Sequence, residues 1–257
     1  MKAVILAGGL GTRISQNYFN TPKPLIEIGE KPIIWHLIKY FSFYKIKDII
    51  ICTGYKSNDI KNFFLNQIYY NNDISIDLND NSVKLETEDS IDCRITIINT
   101  GLYTNTGGRL LKIKRYLKNE NSFILSYCDG LTDLNLNKLI NFQEKSKFIA
   151  TLTAVNSGGR FGTMKIENKK VKKFNEKLSN DGRLINGGFY VIKNEIFNYI
   201  KNDETSFEYD CLEYLSRKGK LGAYHHDGFW QCMDTIRDKD YLEKEWLSKK
   251  CKWKIWK

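Results

Sequence analysis

The chain has 257 residues, enough for one large α/β domain or two small ones, and its 42% hydrophobic and 27% charged content suits a globular protein with a real core. A formal net charge of +10 invites nucleic acid, membrane surface or phosphorylated ligands, but the lysines are scattered and form no long basic block. Six cysteines without a C-x-x-C pair, and only three histidines, argue against zinc ribbons and disulfide scaffolds and predict a reducing cytosol.

The first predicted element is the strand "KAVILA", whose apolar run ends in glycines and is too short for a signal peptide. In "KPIIWHLIKYFSFY" the spacing puts Ile33, Ile34, Leu37, Ile38 and Phe41 on one helical face, with Pro32 suited to the first turn. "DIIICTGY" reads as a strand covered on both faces. "SNDIKNFFLNQIYY" follows as a helix capped by Ser57 or Asn58. Over residues 73–100, "ISIDL", "SVKLET" and "RITIIN" alternate like antiparallel ribbons, predicting a β-rich insertion. "TGGRLLKIKRYL" returns to helix, "SFILSYCDG" is a buried strand ending in an acid, and "FIATLTAV", "FGTMKIE" and "NGGFYVI" continue the sheet. This alternation predicts an α/β fold with a mostly parallel sheet wrapped by helices, in one domain spanning 1–257. No apolar stretch approaches transmembrane length.

Chemistry concentrates after the first strand, in "GGLGTR". Glycines let backbone N–H groups approach phosphates with no side chain in the way. The loop lacks the Gly-Lys-Ser/Thr ending of a P-loop, and Ile14 stands where a dinucleotide fingerprint needs its third glycine. Lys23, between Pro22 and Pro24, sits on a segment predicted stiff and extended. Asp129 ends a buried strand, where open α/β sheets bind ligands, and Asp234 lies in the aromatic stretch "FWQCMDTIRD". Together they form a candidate nucleoside-triphosphate site with a divalent metal. Each acid alone reads equally as a cap or an ion-pair partner. A dinucleotide-dependent oxidoreductase and a nucleic-acid binder stay open as rival classes. His36 reads as structural, His225 and His226 as packing residues, and Trp246, Trp253 and Trp256 as anchors of the tail to the body or to another subunit.

"MKAVILAGGLGTRIS" resembles the signature of the nucleoside-diphosphate-sugar pyrophosphorylases, or sugar nucleotidyltransferases. "KPLIEIGEKPIIWHLIKYFS", "TGGRL", "GRFGTM", "INGGFYV" and "FWQCMDTIRDKDYLE" are similar to the branch that acts on glucose 1-phosphate with CTP. The resemblance implies a Rossmann-like nucleotidyltransferase fold. It places CTP over Leu6, Ala7, Gly8, Gly9 and Leu10, with Gly11, Thr12 and Arg13 around the triphosphate and Lys23 beside it. Thr104 and Arg109 would contact the nucleotide, with Cys128 next to it. Asp129 and Asp234 would hold Mg²⁺, Lys177 the sugar phosphate, and Asn186 and Gly187 would line the sugar pocket. Arg13, Lys23 and Lys177 would carry catalysis. The implied reaction joins CTP and a sugar 1-phosphate, α-D-glucose 1-phosphate foremost, into CDP-glucose and pyrophosphate for deoxysugar or surface-polysaccharide synthesis. A different base or phosphorylated acceptor remains the alternative. A cytoplasmic homo-oligomer without nucleic-acid or membrane partners is expected. The sequence departs from the family at Cys128, where "YGDG" has glycine, and at Leu178 and Ser179, where "EKPKGDG" has proline and lysine.

Overall fold

The computed structural model describes residues 1–11, 14, 18, 20–87, 90–156, 164–167, 169–174, 184–248 and 250–256. The chain begins with β1 (Ala3–Ala7), β2 (Glu27–Ile28), β3 (Lys31–Pro32), α1 (Ile33–Phe43), β4 (Asp48–Thr53) and α2 (Ser57–Tyr70). Next come β5 (Ile74–Asp77), β6 (Ser82–Leu85), β7 (Arg94–Asn99), α3 (Thr106–Ile113), β8 (Ser122–Tyr127), β9 (Gly130–Thr132) and α4 (Leu136–Glu144). The rest comprises β10 (Ala150–Asn156), β11 (Met164–Glu167), β12 (Lys170–Phe174), β13 (Leu184–Lys193), α5 (Glu213–Arg217), β14 (Leu221–His226), β15 (Trp230–Cys232) and α6 (Ile236–Leu247).

Nine of the described strands form one sheet in the order β11-β12-β14-β10-β13-β8-β1-β4-β7. The strands β7, β4, β1 and β8 run parallel, while β13 and β12 run against their neighbours. The sheet is therefore mixed and mostly parallel, as expected. Strand periodicity explains its two covers. Ala3, Ile5 and Ala7 face a core shared with Ile33, Leu37 and Phe41 of α1, while Val4 and Leu6 face a second core with Leu110 and Ile113 of α3.

Two local expectations change. Residues 73–100 do not form one insertion: β5 and β6 make an exposed antiparallel hairpin, whereas β7 pairs parallel with β4 as the sheet's edge. Its alternation reflects a half-covered edge rather than an antiparallel partner. Helix α2 starts from Lys56 in the left-handed region (φ 48°) with no side-chain cap; the Ser57 hydroxyl instead meets Thr53 Oγ1 at 2.7 Å.

The tail packs onto the body of its own chain. His36, fully buried on α1, meets the Trp246 ring edge-on at 4.8 Å, with Trp253 and Trp256 about it. Its Nε2 lies 2.9 Å from the Ile28 carbonyl, and burial drives its pKa down to about 4. Among the described residues no helix is long and apolar enough to cross a membrane.

Candidate active site

The carboxyl ends of β1, β4 and β8 open at one edge of the sheet, with the N-terminal end of antiparallel β13 beside them. This is where open α/β sheets place ligands. Leu6, Ala7 and Gly8 are buried at the end of β1, and Gly9 and Leu10 form an exposed lip. Gly11 takes φ +63°, and a Cβ there would stand 3.2 Å from Lys23 Cβ, so the glycine loop lies directly on the lysine. Thr12 and Arg13, assigned to the triphosphate, lie outside the described residues, as do Lys177, Leu178 and Ser179.

Lys23 opens a short 3₁₀ turn (Lys23–Leu25) rather than an extended segment; Pro22 alone is extended, and the Leu25 N–H returns to the Pro22 carbonyl at 2.8 Å. That turn carries the ammonium between two carboxylates. Lys23 Nζ is bonded to Asp129 Oδ2 and donates to Asp234 Oδ1 at 2.7 Å. Burial pulls the lysine pKa down, but Asp129 and Asp234 outweigh it and hold the group charged, above its ordinary value.

A small ribbon brings the two acids together. β9, immediately after Asp129, pairs antiparallel with β15, placing Gly130 opposite Cys232, and the Met233 N–H donates to the Asp129 carbonyl at 2.8 Å. Asp234 then stands just before α6. Thr235 caps that helix in a reciprocal capping box with Asp238, whose Oδ2 also accepts from the Asp234 N–H at 3.2 Å. Cys128 is buried beside Asp129. Burial, with Asp129 adding to it, pushes its thiol up to about 12, so it serves as packing and not as a nucleophile.

Arg109 has a different place from the one expected. Its guanidinium does not project over the lip; it is buried behind the glycine loop, as a brace. Nη2 donates to the Gly8 carbonyl at 3.0 Å, and Nη1 to the carbonyls of Thr53 (3.1 Å) and Gly101 (2.8 Å) and to Thr100 Oγ1 (2.7 Å). A Cβ at Gly8 would fall 2.1 Å from Nη1, which is why glycine stands there. Thr104 meets Lys112 Nζ through its hydroxyl at 3.0 Å. Asn186 and Gly187, assigned to the sugar pocket, lie on β13, and Trp230 Nε1 donates to the Gly187 carbonyl at 2.7 Å, joining that strand to the β9–β15 ribbon.

The structure thus brings together the glycine loop, Lys23, Asp129 and Asp234, with Asn186 and Gly187 on the flank. Sequence reading missed Trp230 as this link, and it missed Tyr127, Tyr190 and Glu208, which meet near Asn186. Tyr127, Tyr190 and Trp230 stand inside motifs already quoted but carry no role of their own there, and Glu208 lies in none, so the fold alone assembles them.

The Nucleotidyl transferase family model matches residues 2–246, and the chain belongs to that family. It is 43% identical to a glucose-1-phosphate cytidylyltransferase of Salmonella typhi, covering 100% of both chains. It is 30% identical to a D-glycero-α-D-manno-heptose 1-phosphate guanylyltransferase of Campylobacter jejuni, over 94% of this chain and 97% of that one. The crystal structure of HddC from Yersinia pseudotuberculosis superposes with a TM-score of 0.77 at 22% identity, covering 95% of this chain and 99% of that one, and shares the fold.

Proposed function

We propose that this chain transfers the cytidylyl group of CTP to a sugar 1-phosphate, α-D-glucose 1-phosphate foremost, releasing pyrophosphate. The observation that carries the reading is the full-length 43% identity to a glucose-1-phosphate cytidylyltransferase. The convergence of Lys23, Asp129 and Asp234 beside the glycine loop supports it.

A phosphate oxygen of the acceptor attacks the α-phosphorus, and the bond from that phosphorus to the bridging oxygen of the β-phosphate breaks. Both reactants are anions, so the protein's task is to position them and offset charge. Lys23, mounted on a turn against the loop, supplies positive charge for the nucleotide phosphates. Arg13 and Lys177 are assigned the same task at the triphosphate and at the acceptor phosphate. Arg109 holds the carbonyl side of the loop so that its N–H groups face the ligand. The acceptor phosphate is already ionised at neutral pH, so no nucleophilic side chain is needed.

The two acids fit a hard divalent ion. Their oxygens converge on one cationic centre, the Lys23 ammonium, which stands in for such an ion. Asp129 and Asp234 would hold Mg²⁺, which would neutralise phosphate charge when bound. Six free cysteines accord with a reducing cytosol. The exposed apolar side chains Ile76, Leu78 and Val83 of the β5–β6 hairpin accord with a homo-oligomer.

The 30% identity to a guanylyltransferase acting on a heptose phosphate motivates the second reading, another base or acceptor on the same chemistry. Pyrophosphate release, measured with each nucleoside triphosphate against a panel of sugar 1-phosphates, decides. The expected result is turnover with CTP and glucose 1-phosphate well above every other pair; a higher value for another pair replaces the reading.

A further inference from the structure

A chain of side-chain hydrogen bonds runs from the acceptor strand to a carboxylate remote from the acids. Asn186 Nδ2 donates to Tyr190 Oη at 2.5 Å, and the Tyr190 and Tyr127 hydroxyls meet at 3.0 Å. Tyr127 Oη donates to Glu208 Oε1 in a short bond. The other carboxylate oxygen, Oε2, accepts from Thr106 Oγ1 at 2.5 Å and Ser206 Oγ at 3.1 Å. Glu208 lies in a π-helical turn (Phe207–Leu212), a backbone irregularity that often marks functional positions.

The proton direction of this chain is fixed at its far end. A carboxylate accepts only, so Tyr127 must give it its proton. Tyr190 must then donate to Tyr127, and its oxygen is left to accept from Asn186. The amide is held from the other side as well, because the Gly188 N–H donates to Asn186 Oδ1 at 3.0 Å. Gly188 makes this possible: its φ is +75°, and a Cβ there would stand 2.7 Å from the Tyr127 ring. The relay acts on the nitrogen end of the amide, whose second Nδ2 proton stays available to the pocket as a donor beside the second lone pair of Oδ1.

We propose that Glu208 is a positioning residue which, through Tyr127 and Tyr190, orients the Asn186 amide so that this strand reads an acceptor-sugar hydroxyl as a hydrogen-bond acceptor. This rests on the reading of Asn186 as part of the sugar pocket. Glu208 touches no substrate. It sets which face of Asn186 the sugar meets, and Thr106 ties the same carboxylate to α3, the helix that carries the Arg109 brace.

The test compares glucose 1-phosphate with its four monodeoxy analogues, lacking the 2-, 3-, 4- or 6-hydroxyl, in kcat/KM with CTP saturating. The wild-type enzyme should disfavour one analogue by on the order of tenfold or more, since a site built to bond a hydroxyl rejects a substrate lacking it. Asn186→Ala should collapse that ratio and so name the hydroxyl. Tyr190→Phe and Glu208→Met should collapse the same ratio while the KM for CTP stays within about twofold of wild type. Glu208→Gln should keep most of the discrimination, because its amide oxygen still accepts from Tyr127. If Asn186→Ala leaves every ratio unchanged, the sugar-pocket reading fails and takes the proposal with it. If Asn186→Ala collapses the ratio but Tyr190→Phe and Glu208→Met keep it, the proposal alone is overturned. Loss of activity on all analogues alike, with a lowered melting temperature in both variants, also overturns it, since that is a packing role.

Discussion

The two flanks of the site are held by different kinds of bond. On the flank proposed for the nucleotide, the buried Arg109 donates to backbone carbonyls of Gly8, Thr53 and Gly101. Apart from the Thr100 hydroxyl its partners are main-chain atoms, present whatever the residues are, so this brace fixes the path of the loop. On the acceptor side, Asn186 is held through side chains, Tyr190, Tyr127 and Glu208. Each of these can be exchanged singly, and each exchange alters what the pocket offers. On the function proposed above, the contrast sets a phosphate cradle held mainly through the main chain beside a sugar wall built from exchangeable parts. Asp129 and Asp234 lie between the two, just beyond one end of the β9–β15 ribbon.

The comparison breaks most severely where both flanks depend on the same groups. Asp129→Asn and Asp234→Asn should each cut turnover about 10²–10³-fold, the scale of losing one charge-stabilising group, or roughly 3–4 kcal/mol. Folding should survive, because each change also weakens an ion pair with Lys23 without emptying the core. Steady-state rates at limiting Mg²⁺ check this, and near-normal turnover in both variants moves the metal elsewhere. Arg109→Met should next separate the flanks. It strips donors from buried carbonyls, a loss of about 3 kcal/mol in a urea melt. In the folded fraction it should raise the KM for CTP and leave that for the acceptor unchanged. An equal rise in both would dissolve the distinction between brace and relay.

Acid supplies a control that touches neither flank. His36 has a folded pKa of about 4 against an unfolded value of 6.5, because burial among the tryptophans disfavours its charge. The unfolded chain therefore takes up the proton first, and the stabilisation present above pH 6.5 is lost as pH falls towards 4. Between pH 7 and 5 the loss should be about 2 kcal/mol in denaturant melts. His36→Phe should flatten that dependence, while the two Michaelis constants measured on folded enzyme stay in the same ratio. A slope unchanged in the variant assigns the acid sensitivity to other groups.

What was legible in the sequence follows the same division. The glycine loop announced itself by its composition: Gly11 answers to a left-handed backbone and Gly8 to the close approach of the Arg109 guanidinium. Asp129 was readable as the acid ending a buried strand, and the helix α1 face from Ile33 to Phe41 by its spacing. Asp234 was joined to Asp129 by the chemistry of the site and by the family resemblance, not by any strand pattern, since the ribbon between them has strands of three residues. Arg109 was assigned to the ligand by the family resemblance of its turn, whereas its partners are carbonyls from three separate segments and the Thr100 hydroxyl. β7 was taken for part of an antiparallel insertion because a half-covered edge strand alternates whatever its direction. Glu208 was invisible, being one acid in "SFEYD" until the fold sets it 2.5 Å from Thr106 Oγ1.

The smallest expected effect sharpens the comparison at the segment 175–183, which lies outside the described residues. There the family pattern has a proline after the sugar-phosphate lysine and a lysine next, and this chain has Leu178 and Ser179. Proline presets one backbone dihedral in advance, which leucine does not. The added lysine would supply a second positive charge near the acceptor phosphate. If the acceptor wall is the exchangeable flank, Leu178→Pro with Ser179→Lys should improve kcat/KM for glucose 1-phosphate by about two- to fivefold, matching the ~0.4–1 kcal/mol of a compatible proline. The KM for CTP should not move, because Arg109 and the glycine loop are untouched. A double variant that loses glucose 1-phosphate activity but keeps full use of CTP with another sugar phosphate points to a segment tuned for that other acceptor. A change in the CTP constant instead shows that this segment serves the nucleotide flank, and the division between the two walls would have to be drawn elsewhere.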